Sequence, residues 1–390
     1  MNIATIKQAE KRIQTPFNSS LSIQYYGQNN LYPQDIVKIV SCSETASTCM
    51  DRYISFIYGN GFQNVSFSQR VLNSKRETAD DILQLVSYDV ANYRGFALQV
   101  NYNLLGEIVE LFHVPFENCR LTEQDDDGYV GKIAVHPDWT GQLRRNGKPV
   151  RVTKENIDYI DIFNPDKDIV LEQIELAGGI QDYKGQILWI SESGTQTYPK
   201  PVHDSVVTQM STEEGLANVS NRNVRSNFLP ACVLVFKKGQ EVKTKEEKEK
   251  EAAKEGSLRN ALNNLQGDLN TANVGALFVN QDEEIPKKID LRGENYDKDF
   301  TVTTETTESK IYAAFNQEIW CRLKKGSIGF SSQMMRDAYE YYSTTTNKER
   351  LMIERNFSKI FRHWDEVINP QFNFSLQPLK FISSESPNNA

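Results

Sequence analysis

A chain of 390 residues exceeds one average domain, so it holds two or three cores or one elongated subunit. Its 52 acidic residues against 44 basic ones leave a net charge of -8, which excludes a protein that grips nucleic acid by neutralising phosphates with Lys and Arg, though not one past which nucleic acid slides. The five cysteines (Cys42, Cys49, Cys119, Cys232, Cys321) form no CxxC pair, which argues against a disulfide framework or a zinc site and for free thiols in a reducing cytoplasm. The first residues lack the apolar stretch of a signal peptide, and no run reaches the ~18 apolar residues of a membrane span.

In chain order, residues 1–20 are polar and expected to form a flexible arm. A turn-rich stretch, Tyr25 to Pro33, leads into a helical segment from Asp35 to Tyr58, with Ile36, Val40, Ala46, Met50, Tyr53 and Ile57 at helical spacing. Gly59-Asn60-Gly61 stops it. A second helix is expected over Thr78–Tyr93, with Ile82, Leu85, Val86 and Val90 on one face. From Gly95 to Ile162 the period becomes two, as Phe96, Leu98 and Val100 alternate with Ala97, Gln99 and Asn101; further strands are expected near Ile108–Val114, Tyr129–Val135, Ile157–Phe163 and Gly185–Ser191. The first 200 residues therefore read as α+β and rich in antiparallel strands.

Past residue 200, Asp204 is placed to cap a helix running to about Asn227, and Phe228-Leu229-Pro230 ends it. Ala231–Phe236 reads as a β run. Lys243–Glu255 is an almost wholly charged helix, and Leu258, Leu262, Leu265 and Leu269 space a more amphipathic one. Gly275–Asn280 is a second β run. Thr301–Leu323 opens threonine-rich, then turns amphipathic at Ile311, Phe315, Ile319 and Leu323. A loop follows over Lys324–Ser331, after which Ser331 or Ser332 caps a helix from Gln333 to Ile368. Unbroken, that helix would be about 50 Å long, and the Ser343–Thr346 run is a place to kink or break it. Gln371–Ile382 alternates as a last strand.

Residues for catalysis are scarce. His113, His136, His203 and His363 sit in unrelated segments, without an HExxH or HxH pair, and there is neither a GxSxG elbow nor a Walker A loop. A Cys119–His113 dyad is the one thiol arrangement to weigh, against packing roles for both. Asp125-Asp126-Asp127-Gly128 starts like a calcium loop but lacks the Glu that should close it, so a plain turn is expected.

The order of parts resembles the portal proteins of tailed bacteriophages, most nearly the lambdoid-like class. The strand-rich stretch Gly95-Phe96-Ala97-Leu98-Gln99-Val100-Asn101-Tyr102, then Gly106-Glu107-Ile108-Val109-Glu110-Leu111 and Val114-Pro115, is similar to the family's wing. Asn223-Val224-Arg225-Ser226-Asn227-Phe228-Leu229-Pro230-Ala231-Cys232-Val233-Leu234 is similar to its helix-to-clip junction. Gly275-Ala276-Leu277-Phe278-Val279 with Ile285-Pro286 resembles the strand that leaves the clip. Gly329-Phe330-Ser331-Ser332, between two helices, resembles the tunnel loop.

The resemblance covers residues 20–382 and implies an α+β portal fold: wing 21–203, first stem helix 204–228, α/β clip 229–291, second stem helix 292–323, tunnel loop 324–332, long helix 333–368, and a C-terminal strand 369–383 returning to the wing before a tail at 384–390. The absence of a long C-terminal extension implies a small or missing crown. Implied with it is a passive twelve-copy ring, with neither enzymatic activity nor cofactor, at a capsid vertex of the virion, assembled in the bacterial host cytoplasm. Double-stranded DNA would pass through it during packaging and ejection, and the large terminase subunit, a head-completion adaptor and the major capsid protein would dock, with no membrane involved.

Lys324, Lys325, Gly326, Ser327, Ile328, Gly329 and Phe330 are the residues this reading sets against DNA; the two lysines alternatively only terminate the preceding helix through its dipole. Phe236, Lys237, Lys238, Leu277 and Phe278 are its candidates for docking or contacts between copies. The charged 243–255 helix is either part of that surface or a solvated face. The rival readings are another phage ring component, from the head-completion complex or the baseplate, and a nucleic-acid or glycan hydrolase.

Overall fold

The computed structural model describes residues 16–125, 129–142, 144–145, 148–192, 197–225, 232–237, 266–267, 270–271, 274–279, 296–327, 329, 331–366 and 372–381. Contacts divide the chain into two units: residues 1–210 with 309–390, and residues 211–308.

In the first unit, Ser43 splits the helical segment expected from Asp35 to Tyr58. Its backbone is extended and its side chain accepts from the Ala46 amide, so α1 (Tyr32–Cys42) ends there and α2 (Glu44–Tyr58) begins. Gly59, at φ +64°, ends α2, where the sequence placed the stop. α3 (Ala79–Tyr93) opens on a reciprocal capping box between Thr78 and Asp81 and closes on Arg94 at φ +55°. Phe17–Asn18 pairs with Ile23–Gln24, so residues 16–20 belong to a hairpin and not to the arm expected over 1–20.

Six strands form, five of them where strands were expected and one, β3, that was not: β1 (Gly95–Tyr102), β2 (Ile108–Val114), β3 (Cys119–Leu121), β4 (Lys132–Val135), β5 (Asp158–Ile162) and β6 (Gln186–Ser191). They form one sheet in the order β2-β1-β6-β5-β4-β3, antiparallel except between β6 and β5. The parallel step is allowed by α4 (Lys167–Leu176), a crossover helix that periodicity missed because only Val170 and Ile174 on it are buried; the legible signal was Asp166, whose carboxylate accepts from the Asp168 amide at 3.0 Å.

Both sheet edges are covered by the chain itself. On β2, the Ile108 amide donates to the His363 carbonyl, its carbonyl accepts from Asp365, and the Leu111 amide donates to Leu72. On β3, the Leu121 amide donates to Tyr198 Oη at 2.8 Å, and that hydroxyl donates to the Gln24 carbonyl. An edge so occupied cannot recruit another strand.

α3 packs on the sheet, α1 and α2 pack on α3, and a second helical layer packs on α2. This layer comprises α7 (Glu318–Lys324), α8 (Ser332–Thr345) and α9 (Asn347–Phe361). Phe56 of α2 meets Trp320 and Tyr342 edge-on at 6.0 and 4.9 Å.

The long helix expected over 333–368 breaks at Thr346. Thr344, Thr345 and Thr346 each donate a hydroxyl to the carbonyl four residues back, which competes with the helix ladder and bends it. Arg350 holds the break: its buried guanidinium donates to Thr346 Oγ1 (2.8 Å), the Phe56 carbonyl (2.8 Å) and the Ser343 carbonyl.

The strand expected over 369–383 is, in its described part, a bridge between Leu376 and Phe62. Asn60 and Gln63 amides donate to Gln377 and Ser375, and Gln377 donates back to Gly61. Its partner bends at Gly59 and Gly61, both at positive φ, so the ladder cannot lengthen.

A second buried cation organises the sheet side. Arg120 Nε donates to Asn30 Oδ1 (2.5 Å), and its terminal nitrogens donate to the carbonyls of Asn30, Glu117 and Cys119, each at 2.7 Å. Burial pulls its pKa down to about 10, so it is still charged at neutral pH.

In the second unit, β7 (Cys232–Lys237) and β8 (Val274–Val279) pair in parallel as the two β runs expected, and Gln266–Gly267 turns back on Asn270–Thr271 where a helix was expected to continue to Leu269. The charged stretch 243–255 lies outside the described residues, as do Ile285 and Pro286.

Candidate functional site

Two 19-residue helices take the chain out of the first unit and back: α5 (Val207–Arg225) and α6 (Tyr296–Ala314). α5 does not start on an Asp204 cap. A 3₁₀ turn over Val202–Val206 precedes it, and the Asp204 carboxylate is engaged by Tyr32 Oη at 2.6 Å and by Lys200.

Both helices are rooted in one core. Met210 of α5 and Ile311 and Tyr312 of α6 are buried in it, and the His203 ring, fully buried, stacks on Phe315 at 5.5 Å and 7°. Neither ring nitrogen of His203 has a hydrogen-bond partner, and burial pulls its pKa from 6.5 down to about 4. It is a neutral aromatic plate at neutral pH.

Beyond these roots the helices change character. On α5, Ser211, Glu214, Gly215 and residues 217–221 are exposed; on α6, Thr301 through Thr306 are exposed without interruption. Over residues 211–221 and 301–308 no hydrophobic side chain is buried. A helix polar on all sides is not stable on its own strength, because helix stability in proteins comes mainly from packing one apolar face.

α6 stops well short of the expected 323. Asn316 takes the left-handed conformation (φ +54°), the Asn316 amide bonds to the Ala313 carbonyl, and the Gln317 amide bonds to Tyr312, which is a Schellman termination with Asn in the place Gly usually fills. The fully buried Gln317 then pins the break: its Nε2 donates to the Cys49 carbonyl (2.8 Å) and to Tyr342 Oη (2.7 Å), and its Oε1 accepts from Arg52 (2.5 Å). Sequence reasoning passed over Asn316-Gln317 because the apolar spacing from Ile311 to Leu323 runs unbroken across it.

Lys324 to Phe330, the expected tunnel-loop contacts, begin on the last turn of α7. Lys324, Lys325, Gly326, Ser327 and Gly329 are exposed, while Ile328 and Phe330 lie outside the described residues. Lys325 Nζ donates to Ser309 Oγ at 2.8 Å, tying the loop to α6. Gly326, at φ +66°, terminates α7 in a second Schellman motif, its amide on Leu323 and that of Ser327 on Arg322. Ser331 Oγ accepts from the Met334 amide and caps α8, the first of the two serines proposed for it.

Of the expected docking residues, Phe236 and Phe278 are direct register partners across β7 and β8, Leu277 stands opposite Val235, and Lys237 opposite Val279. Lys238 lies outside the described residues.

The residues weighed for catalysis do not converge. His113 Nε2 lies 2.7 Å from Asp89, whose buried carboxyl is pushed up by desolvation and pulled back by His113 and the Phe116 amide. Cys119 donates instead to the Pro115 carbonyl, and burial raises its pKa, the opposite of what a nucleophilic thiol needs. His136 Nδ1 accepts from the Asp138 amide. Asp125 closes a turn with Tyr129. Among the described residues no group of three His, Cys, Asp or Glu side chains is placed to hold a metal, and no helix is long and apolar enough to cross a membrane. Cys42, Cys49, Cys119 and Cys321 are free thiols.

Neither a protein-family profile nor a curated protein matches the sequence. Among solved structures, the chain is similar at a TM-score of 0.44 and 12% identity to one from the virion of a native gene transfer agent particle, over 88% of this chain and 83% of that one. It is similar at a TM-score of 0.43 to chains in the neck of the native particle computed with C12 symmetry (12% identity, 89% and 84% covered) and in the neck of the empty particle computed with C6 symmetry (11% identity, 89% and 84% covered).

Proposed function

We propose that the chain is a portal subunit of a tailed-phage-like particle: a passive ring, twelve copies by the family's pattern, that conducts double-stranded DNA at a capsid vertex and docks the terminase, a head-completion adaptor and the shell protein. The observation that carries the reading is the pair of helices, α5 and α6, rooted in one core and exposed beyond it over residues 217–221 and 301–306. Packed only within their own chain, those turns bury too little to hold; packed against the same turns of further copies around an axis, they gain the missing contacts and leave a polar, hydroxyl-rich surface. Thr301, Thr303, Thr304 and Thr306 suit a wall past which a charged duplex must slide without being held. Exposed Lys324 and Lys325 supply a few placed cations, of which Lys325 is oriented by Ser309.

Negative-stain microscopy and mass photometry of the purified chain test this. Rings with a central hole are expected, and compact monomers at all concentrations would sink the proposal in favour of a hydrolase. A ring of similar size that neither retains nor packages DNA favours another head-completion or baseplate component. Deleting Lys324–Phe330 should abolish packaging or DNA retention while rings still form.

A further inference from the structure

The turn between β1 and β2 is built to stay rigid, yet it presents two leucines to solvent. Asn103 Oδ1 accepts from the amides of Leu105 and Glu107, the Asn103 amide donates to the Glu107 carbonyl, and that of Gly106 donates to Asn103. Glu107 pairs with Lys167 of α4 at 3.0 Å. On this frame Leu104 and Leu105 are 71% and 67% exposed. A β-turn tip ordinarily carries Asn, Gly, Asp or Ser, and two adjacent exposed leucines contribute nothing to the fold of their own chain.

The turn rests on one flank of α4. A Cβ built on Gly106 would lie 3.6 Å from the Lys167 carbonyl and 3.7 Å from Leu171 Cγ. At 3.6 residues per turn, Leu171 lies about 40° round the helix from Lys167, whereas Ile169 and Leu176 lie about 180–200° round, with the buried stripe of Val170 and Ile174 between the two flanks. That opposite flank borders a cavity of about 620 Å³, lined by Tyr159, Ile160, Ile169, Leu176 and Tyr183. Leu176 is 79% exposed there. Around these apolar walls the rim carries Lys132, paired with Asp161 at 3.2 Å, Lys184, paired with Asp158, and the side chains of Glu172, Gln173 and Asp182, so an apolar knob would be seated within a polar rim.

We propose that Leu104 and Leu105 of one copy seat in the α4-side cavity of the next copy, a knob-into-hole contact that joins neighbouring wings in the ring. The placement supports a second copy of this chain over any other occupant. Knob and hole lie on opposite flanks of one helix, which is the arrangement of a heterologous head-to-tail interface, the kind that closes into a ring when its rotation allows. Both sheet edges are already covered by the chain, so strand pairing cannot join the wings. The contact rests on the ring reading above and specifies which surfaces meet.

Two measurements test it. Leu104→Ser with Leu105→Ser should leave the melting temperature of the monomer unchanged and raise the concentration for half-assembly about tenfold or more for each leucine. In a Cys42→Ser background, Leu105→Cys combined with Leu176→Cys should give, on oxidation, a ladder of covalent multimers. A mixture of the two single-cysteine chains should stop at dimers. Rings that form at wild-type concentrations from the serine variant, with no ladder from the double-cysteine chain, overturn the contact and leave the ring reading standing. Wild-type chains that never form rings overturn both. Normal rings that fail to enter heads assign the leucines to the shell protein and overturn the proposal as well.

Discussion

The first unit and the outer turns of α5 and α6 solve the same problem in opposite ways. The first unit buries whole aromatic side chains, covers both edges of its sheet and satisfies its internal cations with carbonyls. Over residues 211–221 and 301–306 the outer helices bury no hydrophobic residue, and hold threonine and carboxylate surface toward solvent. The lesson is about where folding free energy resides. One region carries its stability within a single chain; the other is left to draw it from partners, which makes its order depend on protein concentration.

The sharpest way to break this contrast is to remove a polar hub from the first unit. Gln317→Ala leaves Arg52, the Cys49 carbonyl and Tyr342 short of partners, and Arg120→Met removes four hydrogen bonds to oxygen from the sheet side; each should cost about 3–5 kcal/mol in chemical denaturation. By contrast, Thr301→Ala with Thr304→Ala should change monomer stability by less than about 0.5 kcal/mol. If the two experiments give similar losses, the two regions do not differ in where their stability resides.

Acid should come next in size. His203 is neutral and buried with a pKa near 4, against 6.5 when unfolded, so the unfolded chain binds the extra proton between those values. Stability from this group is complete above about pH 6.5, falls as pH drops toward 4 and levels off below it, a slope of at most ~1.4 kcal/mol per unit. His203→Phe keeps the stacking on Phe315 and should flatten that part of the profile, measured as denaturation midpoint against pH.

A smaller effect is expected at Gly59→Ala. The position is at φ +64° and an added Cβ would lie 2.0 Å from the Gln377 carbonyl, so the extended 372–381 segment must lift; about 1–3 kcal/mol and faster proteolysis there should result. The most delicate test is hydrogen exchange on residues 211–221 and 301–308, which should slow on ring assembly while the sheet amides stay unchanged.

Much of the architecture was legible because local chemistry and periodicity agree for it. Thr78 with Asp81, Gly59, the alternation through β1 and β2, and the Ser331 cap are all signals that one segment carries alone. The breaks were less legible. Asn316 ends α6 inside an unbroken apolar stripe, and the helix at 167–176 shows only two buried positions, so hydrophobic spacing either ran past the feature or was too thin to announce it. Asp204 looked like a cap and serves instead as an acceptor for Tyr32, a residue 172 positions away.

The sequence by itself determined the α+β class, the turns marked by their own residues such as Gly59, and the polar character of α5 and α6, since each follows from dihedral preference or from the period of apolar residues. Only the tertiary structure decided that Gln317 would pin the α6 break, that His203 would sit unpartnered on Phe315, and that the Leu104–Leu105 turn and the α4-side cavity would fall on opposite flanks of one helix. Those relations join residues far apart in the chain, and no local pattern encodes which distant surfaces will meet.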